Sequence, residues 1–430
     1  MHEIPKSHPN GYSAQVGWNK PTGWTRRAQG LAAFALLFVL MLLFFSTAGS
    51  SSSGSSTLPN LFSSNPSCPN ERWEDGKWVQ RPPPHETMAG KSDVFRVSGF
   101  TGCATYDWTP NRGGCTVAPF DKKEFILRLM RRGGWMFIGD ETTEQQFFSL
   151  SCLLHPHVRA SPTFPSWGGW KASWPQFLYL NLADPWAKSL VESHMPIGFR
   201  PELTPLVSYL RVDLLFSKPE LADVGAWTSH PTADPTTFFS GDGGEVFTQS
   251  ALDWLGAYDA KYPAGKYNTL VLSSGGHWVP SLFKGLPGGS PEVLRLWRVA
   301  MHLLTARLVA MLNDEKNKTR VVLFRSAVQG HESCKEEWSR KAEPLTRPRE
   351  LKKDEFNWKA LPEMNAILEE IIKGHNHPRL KFLRLDRPAH LRPEAHVYSD
   401  CARYVVGSGI VEDWNIYMSH YERWEVDYPK

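Results

Sequence analysis

Short apolar runs separated by helix-length segments constrain this chain more than any other feature. The runs at 135–138 (WMFI), 206–216 (LVSYLRVDLLF), 269–273 (TLVLS), 320–324 (RVVLF) and 381–385 (KFLRL) are nearly continuous in apolar character, as strands covered on both faces are. Helices fall between them. The segment 142–154 follows the first run at once, and Ser290 with Pro291 makes an N-cap and first-turn pair for a helix reaching about Leu312. A third helix, 362–373, is expected to stop at Gly374. The alternation predicts an α/β fold with a mainly parallel sheet, whose chemistry sits beyond the carboxyl ends of the strands.

Of the 430 residues, 41% are hydrophobic and 21% charged, which excludes wholesale disorder. Lysine and arginine total 48 against 44 acidic residues, with no long basic run, so no nucleic-acid partner is expected. Aromatics reach 12%, including 18 tryptophans; most belong in a core, but the excess also suits stacking on sugar rings. At 31–45 the sequence LAAFALLFVLMLLFF contains no polar residue, and the uncharged stretch runs on through Gly49, long enough to cross a thin bilayer. Lys6, Lys20, Arg26 and Arg27 precede it and no charge follows until Glu71, so the N-terminus is expected to stay cytosolic. The expected organisation is a cytosolic tail (1–30), a transmembrane signal anchor (31–49), a Ser-rich stem (50–67) and one lumenal domain (68–430). A cleaved signal peptide, with Thr47-Ala48-Gly49 as a poor small-residue site, is the competing reading.

Six cysteines stand at 68, 103, 115, 152, 334 and 401, without a CxxC or a Cys/His pair at metal spacing, so no metal is expected. In a secretory lumen they would pair, and fifteen pairings are open. There Asn317-Lys318-Thr319 is an expected, accessible glycosylation acceptor. The charged, proline-broken stretch 335–358 reads as a surface excursion within the domain.

At the expected strand ends stand Gly139-Asp140-Glu141, Gly275-Gly276-His277-Trp278 and Arg325-Ser326, with Asp400-Cys401-Ala402-Arg403 after the last. A lone histidine or arginine is usually structural; here their convergence marks a site. GGWMFIGDETTEQQFFSLSCLL resembles the first block of the PC-esterase, or trichome-birefringence-like, glycan O-acetyltransferases, in which a strand leads into Gly-Asp-Ser and a helix. CPNERWEDGKWV and DWTPNRGGC are similar to the family's N-terminal portion, and LVLSSGGHW, FRSAVQGHESC, RPEAH and YSDCARYVVGSGIVEDWN to its later blocks, in order.

The resemblance implies an SGNH-like three-layer α/β/α sandwich, a type II single-pass Golgi topology with the C-terminal domain lumenal, and a polysaccharide or glycoprotein glycan as partner. It also implies a mechanism, in which the serine of Gly-Asp-Ser attacks an acetyl donor with help from an Asp-x-x-His pair and passes the acetyl group to a sugar hydroxyl. No bound cofactor is implied. The donor, acetyl-CoA or another, is unspecified, and an acetyl-donor transporter or an active paralogue would be a further partner.

This chain departs from that pattern where it matters. Glu141 stands at the nucleophile position and Arg403 at the base position, while Asp400 is retained as the triad acid. Arginine stays protonated and cannot be a base. Glu141 and Arg403 are expected to form an ion pair, and Thr142 and Thr143 to cap the helix. The expected substrate-binding set is His277, Trp278, Arg325, His331 and His396. By resemblance the disulfides pair Cys68 with Cys115, Cys103 with Cys152, and Cys334 with Cys401, with Cys103–Cys401 as the alternative to consider. Two functions follow: an acetyltransferase or esterase with altered catalytic residues, or an inactive homologue that binds glycan or assists an active one. A tethered scaffold without glycan affinity is a third.

Overall fold

The computed structural model describes residues 66–80, 106–161, 175–228, 239, 246–397 and 400–426, apart from positions 112, 287, 333, 341–342 and 353. The expected cytosolic tail and anchor, the stem up to residue 65, and Cys103 lie outside the described residues. Among the described residues no helix is long and apolar enough to cross a membrane.

Strands β1 (Gly76–Gln80) and β2 (Tyr106–Pro110) form an antiparallel ribbon ahead of the main sheet. There follow α1 (Lys122–Arg132), β3 (Gly134–Gly139), α2 (Glu141–Leu154), β4 (Val158–Ser161), β5 (Gln176–Leu180), α3 (Pro185–His194) and β6 (Val207–Arg211). Next come α4 (Lys218–Thr228), α5 (Ala251–Tyr258), β7 (Tyr267–Leu272), α6 (Ser290–Asn313) and β8 (Val321–Arg325). The chain ends with α7 (Cys334–Arg340), α8 (Leu361–His375), β9 (Leu380–Leu383), β10 (His396–Val397), β11 (Asp400–Tyr404) and α9 (Ile410–Trp424). The main sheet has seven strands in the order β4-β5-β6-β3-β7-β8-β9. From β6 to β9 all neighbours are parallel; β4 and β5 add an antiparallel edge.

Alternation along the buried strands explains the layering. In β3, Trp135 and Phe137 join one apolar cluster with Phe125 of α1, Phe147 of α2 and Trp414 of α9. Met136 and Ile138 join the other, with Trp254 of α5, Trp297 and Met301 of α6 and Met364 of α8. Successive side chains of a strand point to opposite faces, so helices cover both sides of the sheet.

The five expected strands are all present. The helix after β3 begins at Glu141, and its cap is Asp140, whose Oδ1 accepts the amides of Thr142 at 3.0 Å and Thr143 at 3.3 Å. The threonines are therefore the capped residues and not the caps. α6 is preceded by Gly289 as N-cap, and the Ser290 hydroxyl instead donates to Asn357 Oδ1 at 3.1 Å. α8 runs through Gly374 and closes at Asn376, in the left-handed conformation (φ 46°) that asparagine tolerates at a helix end.

Cys68–Cys115 and Cys334–Cys401 are disulfide-bonded, with Cα separations of 4.2 and 5.5 Å. Cys152 is buried in α2; its expected partner Cys103 is outside the described residues. Asn317 does not meet its expectation. It is 1% exposed, its side-chain amide donates to the Met311 carbonyl at 2.9 Å, and Arg379 binds its carbonyl at 2.5 Å. The side chain that would carry the glycan is thus withdrawn from solvent in this fold.

Candidate active site

The parallel order sets four strand ends side by side. Val212 N donates to the Gly139 carbonyl at 3.0 Å and Ser273 N to that of Ile138 at 3.2 Å, so β6 and β7 leave the sheet locked against the exit of β3. The exit is close-packed: a Cβ on Gly139 would lie 2.4 Å from Thr143 Oγ1 and 2.6 Å from the Ser273 carbonyl. The Tyr209 hydroxyl donates to the Asp140 carbonyl at 3.0 Å and holds the turn from behind. Glu141, on the first turn of α2, then faces the ends of β6 and β7.

Its partners there form a network. Glu141 Oε2 accepts from Arg211 Nη2 at 2.9 Å and lies 2.9 Å from His277 Nε2. Arg211 Nε donates to Asp213 Oδ1 at 2.9 Å, and Asp213 Oδ2 accepts the Phe247 amide at 2.8 Å. His277 Nε2 is 3.9 Å from Asp213 Oδ1. Burial resists ionisation of Glu141, but the hydrogen bond from His277 and the charges of His277 and Arg211 outweigh it and hold the carboxyl at about 2. Burial opposes the charge on His277, but the hydrogen bond to Glu141 and the charges of Asp213, Glu141 and Asp140 raise it to about 9, so it is an imidazolium at neutral pH. Burial pushes Asp213 upward, against the pull of His277 and Arg211.

The arrangement is two carboxylates interlocked with two cations. Both cations meet Glu141 at the same oxygen, Oε2, and a protonated His277 cannot accept a proton. Glu141, Asp213 and His277 also form a group of metal-capable ligands, with atoms within 4.8 Å of one another. Arg211 already binds Glu141 Oε2 and both oxygens of Asp213, which opposes a further cation at the same atoms.

The expected pair between Glu141 and Arg403 does not form. Arg211 takes Glu141, and Arg403 Nε instead meets Asp400 Oδ2 at 2.5 Å, three residues back along β11. Asp400 nonetheless lines the same cleft as Glu141, a cavity of about 590 Å³ that Asp140, Arg211, His277, Arg325 and Trp358 also border.

The expected binding residues divide. His277 reaches the cleft. Its neighbour Trp278 does not: it is fully buried, its amide closes a turn onto the Gly275 carbonyl at 3.0 Å, and its indole packs edge-on against Trp297 at 4.9 Å. Arg325 borders the cleft from below, stacked over Trp414 at 4.4 Å and donating to Thr143 Oγ1 at 3.2 Å; burial lowers it to about 10, so it remains charged. His331 and His396, the first residue of β10, are paired inside the protein, Nδ1 to Nε2 at 2.6 Å. Burial lowers both, His331 to about 4, and neither borders the cleft. Of the expected binding set, Trp278, His331 and His396 thus lie outside the lining of this cleft, and His277 and Arg325 within it.

Arg211 and Asp213 join this network although neither stands out in the sequence as a site residue. What signal there was lies in opposite charges two residues apart inside an apolar run.

No family model matches the chain. Over 137 residues, 28% of this chain, it is 29% identical to protein trichome birefringence-like 9 of Arabidopsis thaliana, of which it spans 32%. Over 50 residues, 12% of the chain, it is 40% identical to protein trichome birefringence-like 43 of the same organism, of which it spans 13%. The chain thus bears a distant and partial similarity to trichome birefringence-like proteins.

Proposed function

We propose that this chain is a membrane-anchored Golgi protein related to the glycan O-acetyltransferases, one that binds a polysaccharide or glycoprotein glycan without forming an acyl-enzyme. The observation that carries this reading is the double engagement of Glu141: the side chain at the nucleophile position is bonded to both Arg211 and His277. A carboxylate so held is a poor nucleophile, and its attack on an acyl donor would give a mixed anhydride with no neutral base nearby to direct its breakdown. The cleft keeps its volume and its polar lining, so it retains the means to bind a polyhydroxylated ligand. A role beside an active paralogue or an acetyl-donor transporter is consistent with such a protein.

Purified full-length protein is then expected to bind oligosaccharides yet neither acetylate them nor hydrolyse an activated acetyl ester above background. Glu141→Ser with Arg403→His is expected to create weak esterase activity, since Asp400 already borders the cleft, while either change alone fails because the groups act as a unit. Robust acetyl transfer by the unmodified protein, abolished by Glu141→Ala, would overturn the proposal in favour of an altered enzyme.

A further inference from the structure

Phe356 borders the cleft with its side chain 64% exposed, although large apolar groups normally turn inward. Its backbone is unusual as well. Phe356 (φ 52°, ψ 31°) and Asn357 (φ 56°, ψ 29°) are successive non-glycine residues in the left-handed region, which is disfavoured for a bulky side chain.

The surroundings hold this conformation in place. Asn357 is buried; its Nδ2 donates to the Trp278 carbonyl at 2.9 Å, and its Oδ1 accepts from Ser290 at the start of α6. Trp358 is buried next to it, and its carbonyl accepts from Gln329 Nε2 at 2.7 Å. Anchored by the two residues that follow, Phe356 stands over the rim with its ring 5.7 Å from that of Trp358. Both an unfavourable backbone and an unburied ring are thus maintained at the edge of a polar cavity, a combination that marks functional positions.

We propose that Phe356 is a stacking platform for a sugar ring, forming one subsite of the cleft, and that the ring it takes is a neutral pyranose with equatorial hydroxyls. Such a ring has a flat face of C–H groups that matches an aromatic face, and an edge of hydroxyls suited to the polar lining. Acidic and basic side chains around the cleft nearly cancel, so a uronate gains no net attraction. The inference rests on the glycan-binding reading above and gives it a substrate class.

Calorimetric titration of full-length protein with xylohexaose, cellohexaose and hexagalacturonate tests it. The neutral hexaoses are expected to bind more tightly than the uronate. Phe356→Ala is expected to weaken the neutral sugars about tenfold, and Phe356→Trp to restore them. Phe356→Gly should lose the same affinity while unfolding at no lower temperature, because glycine adopts the left-handed backbone freely; this separates a stacking role from a structural one. Unchanged affinity in Phe356→Ala would overturn the subsite and leave the glycan reading standing. No binding by the unmodified protein would overturn that reading, and the subsite with it. Tighter binding of hexagalacturonate would overturn the neutral-sugar assignment.

Discussion

Glu141 and Arg211 lie 23% and 12% exposed inside a network with Asp213 and His277, whereas Asp400, which borders the cleft from β11, and its partner Arg403 are 30% and 44% exposed. The first pair is partly withdrawn from water and tied to three strand ends. The second spans one i,i+3 step of a hairpin and is screened by solvent. Position 141 is therefore committed by the groups around it, while position 403 can change at little cost.

Arg211→Met should break this contrast with the largest effect. It leaves Glu141 without its guanidinium and the fully buried Asp213 carboxylate without its hydrogen-bonded cation, with His277 3.9 Å away as its remaining charge partner, and is expected to cost about 3–5 kcal/mol in urea unfolding. A loss near zero would place both pairs in the same class.

The pH dependence sharpens it further. Glu141, held at about 2 against an ordinary 4.5, contributes stability that is complete above 4.5 and is lost as pH falls toward 2. His277, raised from 6.5 to about 9, contributes fully below 6.5 and loses its contribution as pH rises through 9. His331 acts in the opposite sense: lowered by burial to about 4, it takes up its proton more readily in the unfolded chain, so stability falls as pH drops from 6.5 toward 4. His277→Gln is accordingly expected to cost about 2 kcal/mol between pH 4.5 and 6.5, the worth of a hydrogen bond to a charged group. That difference should shrink toward pH 9; a flat one would refute the pairing. Arg403→Ala marks the small end, about 0–1 kcal/mol and less in high salt, and a larger penalty would show that the hairpin pair is more than a surface contact.

The frame of the site was legible because it rests on local rules. Continuous apolar runs gave away the parallel strands, and Gly-Asp before a helix gave away the first strand end. What escaped were facts of tertiary placement. The run 206–216 reads as one strand, yet β6 stops at Arg211 and the chain turns so that Asp213 can take the Phe247 amide. His277 and Trp278 are adjacent, but the turn at Gly275 sends one to the cleft and the other to the core. The Asn317 sequon is a three-residue pattern, whereas its accessibility depends on Arg379, distant in sequence. The antiparallel edge strands β4 and β5 were not anticipated, and neither run stands out as a buried strand would.

The bond between Cys334 and Cys401 closes a ring across a sequence separation of 67, and within that ring lie Phe356, α8, β9 and the β10 strand. Sheet strands need no sulfur chemistry to pair, but this part of the cleft wall is tied shut by an oxidation. Protein made in a reducing cytosol could therefore keep its sheet while leaving that wall unfastened. Ligand binding measured on such material would report the redox history of the sample before it reported anything about residue 141.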